Sequence, residues 1–190
     1  MLAFAFMNAI ANPVSFILAC HPEFPSMAIQ GIDVVVGTAP GDILTLAFAL
    51  KGDISTLRIP EPGSSRQAGG LWQHTCFEVF IMAEDGSGYR EFNFSPSGEW
   101  AVYAFRGYRD GDELEIELSP GIVVQLTMNR LELDVEIRRD YLPPGRMLRL
   151  GLSAVVEDAD GVLSYWALQH PPGKPDFHHT DTFASRLVLP

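Results

Sequence analysis

The sequence predicts an all-β protein, an antiparallel β-sandwich of the jelly-roll or immunoglobulin-like kind, and three observations carry that prediction. Apolar residues recur at every second position wherever a period is legible, which is the strand signature rather than the helical one. Several other runs are apolar on both faces, as strands inside a stacked pair of sheets must be. Turn-forming dipeptides separate the runs, and no segment shows a convincing amphipathic helix.

Taken in chain order, residues 1–20 are apolar, and they read either as an extra strand or as a vestigial export signal. Asn8, Asn12 and Pro13 interrupt the run and no Lys or Arg precedes it, so the grammar of a signal is incomplete. Cytoplasmic placement is therefore expected, with periplasmic export as the alternative. Residues 21–190 are expected to form a single domain, since 190 residues suffice for one well-buried core but not comfortably for two.

Residues 43–50 are apolar on both faces and read as an interior strand. The stretch 56–70, with two prolines, three glycines and Ser64-Ser65, reads as a long surface loop of the sort that often carries binding residues. A strand beginning near Leu71 then places Trp72, His74, Cys76, Glu78 and Phe80 on one face. Asp85-Gly86 supplies a turn. In the next strand Phe92 and Phe94 point one way, while Glu91, Asn93 and Ser95 point the other.

Asp110-Gly111 reads as the next turn. Leu114, Ile116 and Leu118 alternate with glutamates, Ile122, Val124, Leu126 and Met128 form a second such row, and Leu131, Leu133, Val135 and Ile137 a third. Pro143, Pro144 and Gly145 break the chain before two further interior runs, 147–156 and 162–169, which Asp160-Gly161 separates. The Asp158–Gly161 segment resembles a fragment of a calcium loop, yet it lacks the remaining ligands and is simpler as a hairpin turn.

Three stretches, 71–80, 91–100 and 165–179, hold every tryptophan and four of the five histidines, so chemistry or recognition is expected where they converge. Glu78 is an acid in an apolar strand, and a buried carboxylate must be paired, hydrogen-bonded or protonated. Its role is either structural or ligand-facing. The row Glu91, Asn93 and Ser95 supplies hydrogen-bonding groups beside Trp100. An aromatic plate next to such groups suits a pyranose, which has an apolar C–H face and a rim of hydroxyls. Trp100 equally fits a core position.

In the third stretch Trp166 and His170 share a strand face. The prolines that follow stop the sheet, so Lys174, Asp176 and His178 are expected on a stiff loop. His74, His170 and His178 offer metal-ligand chemistry, but no HExxH or comparable spacing fixes two ligands together, and no cofactor is expected. Cys20 and Cys76 are too few for a disulfide framework.

A formal net charge of −11 disfavours nucleic acid and anionic lipid as partners, and no segment is apolar for long enough to span a membrane. Nucleotide-binding glycine loops and a GxSxG elbow are absent. The only hydrolytic candidates are Glu78 and Glu91, so a binding protein is expected ahead of an enzyme.

The segments LWQHTCFEVFI, YREFNFSPSGEWAVYAF with the following Gly107-Tyr108-Arg109, and SYWALQHPPGKPDFHH resemble a group of bacterial proteins with a DOMON-like fold, related to the family 9 carbohydrate-binding modules. The resemblance runs from about His21 to the C-terminus. It implies a β-sandwich that binds a small carbohydrate, with haem or a metal ion as the alternative ligand. It also implies an aromatic role for Trp72, Trp100 or Trp166. The site residues drawn from these readings are Trp72, His74, Glu78, Glu91, Asn93, Ser95, Trp100, Trp166, His170, Lys174, Asp176 and His178.

Overall fold

The computed structural model describes residues 10–86 and 88–189. Among the described residues there are twelve antiparallel strands, eleven of which follow one hydrogen-bonded path that folds into two packed layers. The first layer contains β1 (Ala11–Cys20), β2 (Ile29–Ala39), β3 (Ile43–Gly52), β9 (Arg130–Arg138) and β8 (Gly121–Thr127), in that spatial order. The second runs β7 (Asp110–Glu113), β6 (Trp100–Gly107), β5 (Tyr89–Phe94), β4 (Cys76–Ala83), β10 (Met147–Glu157) and β11 (Leu163–Ala167). The short β12 (Ser185–Val188) pairs the beginning of β10.

Strand β1 turns the corner between layers. Val14 to Leu18 pair with β2, while Ala19 and Cys20 pair with β11. The stretch 11–20 is thus a strand of the sandwich, and residues 1–9 of the expected N-terminal segment lie outside the described residues.

The core lies between the layers, where alternation aims one face of every strand. Leu44, Leu46, Phe48 and Leu50 of β3, with Leu131, Leu133, Val135 and Ile137 of β9, meet Phe77, Val79 and Ile81 of β4 and Leu148 to Val156 of β10. Phe48 and Phe77 touch with ring centroids 5.1 Å apart, although their strands are far apart along the hydrogen-bonded path. That contact closes the sandwich.

Three local expectations need correction. The glutamate-alternating stretch 113–118 is not a strand beyond Glu113: Leu114 still donates to the Val102 carbonyl of β6 (2.7 Å) and packs on the core with Ile116, but residues 115–118 belong to no strand. Asp110-Gly111 is paired in β7, and the turn falls at Tyr108-Arg109, with Arg109 in the left-handed region at φ 55°. Gly111 is needed for close approach instead, because a Cβ there would come 2.3 Å from the Ala104 carbonyl oxygen. Finally, Leu71–Gln73 is a 3-10 turn and β4 starts only at Cys76.

The loop 56–70 leads into that 3-10 turn. It is held through Gly63 N–H to the Ser97 carbonyl (2.8 Å) and Ala68 N–H to the Trp100 carbonyl (2.9 Å). Asp158 closes the β10–β11 hairpin by accepting from Asp160 N–H (3.0 Å) and Val162 N–H (2.8 Å).

Candidate functional site

The second layer has an unusual outer face. Where a two-layer sandwich normally turns polar residues to water, the outward residues Glu78, Phe80, Tyr89, Glu91, Asn93 and Ser153 are all buried. The cover is the segment 171–184 after β11, which lays Phe177 and Phe183 on Phe80 and Tyr89 as a second apolar cluster. The prolines of this segment keep it out of the sheet, and two contacts tie down its tip. Asp176 accepts from Tyr108 O–H (2.7 Å) and from the Arg109 guanidinium (2.9 Å), both in the β6–β7 turn.

Beneath and beside this cover is a cavity of about 570 Å³, within the range of small-molecule sites. Its walls are aromatic and apolar: Trp72, Tyr103, Phe105, Tyr165 and Phe177, with Val155 and Leu163. Its polar lining is Gln73, Glu78, Glu91, Arg109 and His178.

Register explains the floor. Ser153 of β10, Glu78 of β4 and Asn93 of β5 face one another across three neighbouring strands, with Ala167 and Ala101 at the ends of the row. Small side chains at those ends leave room above the carboxyl. One step along, Glu91 is paired with Phe80 on one side and Tyr103 on the other, so Glu78 and Glu91 are diagonal neighbours on one face.

Hydrogen bonding at the floor is incomplete. Asn93 donates its amide to Glu91 Oε1 (2.8 Å) and Ser153 bears on the Glu78 carboxyl, but Asn93 Oδ1 is buried without a protein partner and Glu78 Oε1 has none that is well aligned. Buried polar atoms are nearly always paired, so unmet acceptors in one row mark a place built to receive hydrogen bonds from elsewhere.

Electrostatics follows from burial. Removal from water and then the Glu91 charge push the Glu78 carboxyl well above its ordinary range, against the smaller pull of Ser153 and Arg109. Burial lifts Glu91 to about 7, opposed by Asn93 and Arg109. His178 is pushed the other way, to about 4, by burial and then by the Arg109 charge, so it is neutral near pH 7. The Arg109 backbone N–H donates to the Tyr89 hydroxyl oxygen (3.2 Å), the Tyr89 hydroxyl is hydrogen-bonded to His178 Nδ1 (2.9 Å), and His178 Nε2 lies 3.7 Å from Glu91 Oε2.

The structure divides the sequence-derived residues into those at the cavity and those elsewhere. Trp72, Glu78, Glu91 and His178 line it, Asn93 lies beneath it, and Asp176 anchors its cover. Trp100 and Trp166 do not reach it. They are 4% and 6% exposed within the core between layers, because each sits one position out of phase with the outward residues of its strand.

Ser95 turns into the β5–β6 connection, where it accepts from Ser97 O–H (2.9 Å). His170 bonds the Ala19 carbonyl (2.9 Å) and packs against His21, while Lys174 is exposed on the covering segment. His74 stands on the surface with Nδ1 2.7 Å from Glu157 Oε2, and Arg58 takes the other oxygen of that buried carboxylate at 2.6 Å. Among the described residues no group of three or more His, Cys, Asp or Glu side chains is arranged to hold a metal ion.

Sequence reasoning missed Tyr103, Phe105, Arg109, Tyr165 and Phe177 as site residues. Tyr103 had a usable signal: the Ser95–Gly98 turn sets the β5–β6 register that places it opposite Glu91. Arg109 and Phe177 fell inside segments the sequence singled out, the Gly107-Tyr108-Arg109 motif and the stiff loop after the third stretch, but their place at the cavity comes from long-range packing.

No protein-family model and no curated protein matches this sequence. Among solved structures, a candidate carbohydrate-binding protein from Bacteroides uniformis aligns with a TM-score of 0.69 at 14% identity, covering 95% of this chain and 87% of the other. A family 9 carbohydrate-binding module from Caldicellulosiruptor kristjanssonii in complex with cellotriose aligns at 0.50 and 11% identity, over 85% and 75% of the two chains. The same kind of module in complex with glucose aligns at 0.47 and 11% identity, over 82% and 76%. At these identities the likeness is one of fold.

Proposed function

We propose that this protein is a non-catalytic carbohydrate-binding module, DOMON-like in kind, that takes a small sugar or glycan end into the cavity on the outer face of its second sheet. The observation that carries the reading is the pairing of aromatic walls with a floor of orphaned hydrogen-bonding atoms. Trp72, 51% exposed beside the opening, offers a flat apolar surface to the C–H face of a pyranose. Hydroxyl groups donate to the oxygens of Glu78 and Glu91, the two carboxyls that line the cavity. The walls already stand in place, tied by the Asp176 contacts, so little ordering entropy opposes the ligand. The neighbouring folds of carbohydrate-binding proteins support the same reading.

Calorimetry with glucose, cellobiose, cellotriose and a panel of other mono- and disaccharides tests it. Saturable binding that Trp72→Ala weakens at least tenfold is expected, and no heat from any sugar at millimolar concentration would sink the proposal. Turnover of aryl glycosides that Glu78→Gln abolishes would instead mark the two carboxyls as catalytic.

A further inference from the structure

The floor of the cavity is richer in acceptors than a neutral sugar requires. Asn93 Oδ1 only accepts, Glu78 and Glu91 only accept once ionised, and the Asn93 amide that could donate is already given to Glu91. The charge balance points the same way. Two carboxyls line the cavity, and among the described residues lining it Arg109 is the only Lys or Arg; its guanidinium is held by Asp176 at 2.9 Å. His178 lines the wall but is neutral near pH 7. The remaining titratable groups around the pair, Cys76, Tyr89 and Tyr103, all have their ionisation pushed to higher pH.

We infer that the cavity selects sugars bearing a protonated amine, with the ammonium group seated against Glu78 and Glu91 and over the Ser153–Glu78–Asn93 row. The inference rests on the carbohydrate reading and narrows it. An ammonium brings three donors and no acceptor, which matches a row of unpartnered oxygens better than a hydroxyl does. It also supplies the counter-charge that lets both carboxyls ionise out of water. The rings of Tyr103, Phe105 and Tyr165 line the same space, and the negative face of such a ring attracts a cation. The lifted ionisation of both carboxyls is the expected mark of a pair lacking its cation.

The test is calorimetry at pH 7 with glucosamine, its isomers carrying the amine at C3 or C6, glucose, N-acetylglucosamine and cyclohexylamine. At least one amino sugar is expected to bind roughly tenfold or more tighter than glucose and N-acetylglucosamine, since charge-assisted hydrogen bonds replace neutral ones. Its binding should release protons, seen as heats that differ between buffers of different ionisation enthalpy. Glu78→Gln should bring the amino-to-neutral affinity ratio down towards one, and Glu91→Gln provides a second reading should the first variant fail to fold. Neutral sugars binding as well as every amino sugar would overturn this inference and leave the carbohydrate reading standing. Cyclohexylamine binding as tightly as the best amino sugar would overturn sugar selection in both, and no binding by any sugar would overturn both.

Discussion

Replacing Glu91 with glutamine should stabilise the protein, and only above the pH at which its carboxyl would ionise in the unfolded chain. Burial lifts this carboxyl from the ordinary 4.5 to about 7, so between those values the folded state holds a proton that the unfolded state has released. Stability therefore falls as pH rises through that window, and the full penalty is present above about 7. A shift of that size corresponds to about 3 kcal/mol. Glutamine keeps the shape, its side-chain oxygen can still accept the Asn93 amide at 2.8 Å, and it never ionises.

The gain from Glu91→Gln should therefore be near zero at about pH 4.5 and reach about 3 kcal/mol at about pH 8. His178 opposes this trend in the wild type, because its lowered proton affinity costs stability as pH falls from 6.5 towards about 4. That contribution arises chiefly from burial and Arg109, neither of which the substitution touches. Urea unfolding of both proteins across this pH range measures the difference directly. A gain that is the same at both ends of the range, or a loss at about pH 8, would refute the assignment of Glu91 as a buried, unpaired acid.

Trp72→Ala should cost at most about 1 kcal/mol of stability while removing sugar binding, whereas Trp100→Ala, emptying a core position, should cost about 3–5 kcal/mol; denaturation and calorimetry on the two variants separate the roles. Removing both Arg58 and His74, as Arg58→Met with His74→Ala, strips the two partners from the buried Glu157 carboxylate. That should cost about 3–5 kcal/mol, and adding Glu157→Gln should recover much of it. Gly111→Ala should destabilise by about 1–3 kcal/mol, because its Cβ has no room against the Ala104 carbonyl at 2.3 Å, and a thermal melt reads the loss.

Much of the sandwich was legible because strand alternation is a local property. The faces of β9, the apolar runs of β3, β4 and β10, and the opposition of Phe92 and Phe94 to Glu91 and Asn93 all follow from a period of two along one strand, whereas of the row expected in β8 only Ile122 and Val124 pack on the core and Leu126 and Met128 are exposed. Alternation cannot say which face meets the second sheet. For Trp100 and Trp166 that ambiguity mattered, since a one-residue change of phase moves an indole from cavity to core. The stretch 113–118 shows the converse: its alternation is real, yet a strand also needs a neighbour to pair with, and pairing with β6 ends at Glu113 and Leu114.

The sequence by itself determined the class of fold, the buried acid at 78, the polar row that contains Glu91 and the stiff segment after β11, because each depends on residue type and spacing along the chain. Tertiary structure alone decided that Ser153, Glu78 and Asn93 form one row, that Arg109 meets Asp176, and that Phe177 and Tyr165 help wall a cavity over them. Those groups come from strands, a turn and a covering segment far apart in sequence. Only the register between strands and the folding of segment 171–184 over the sheet bring them within reach.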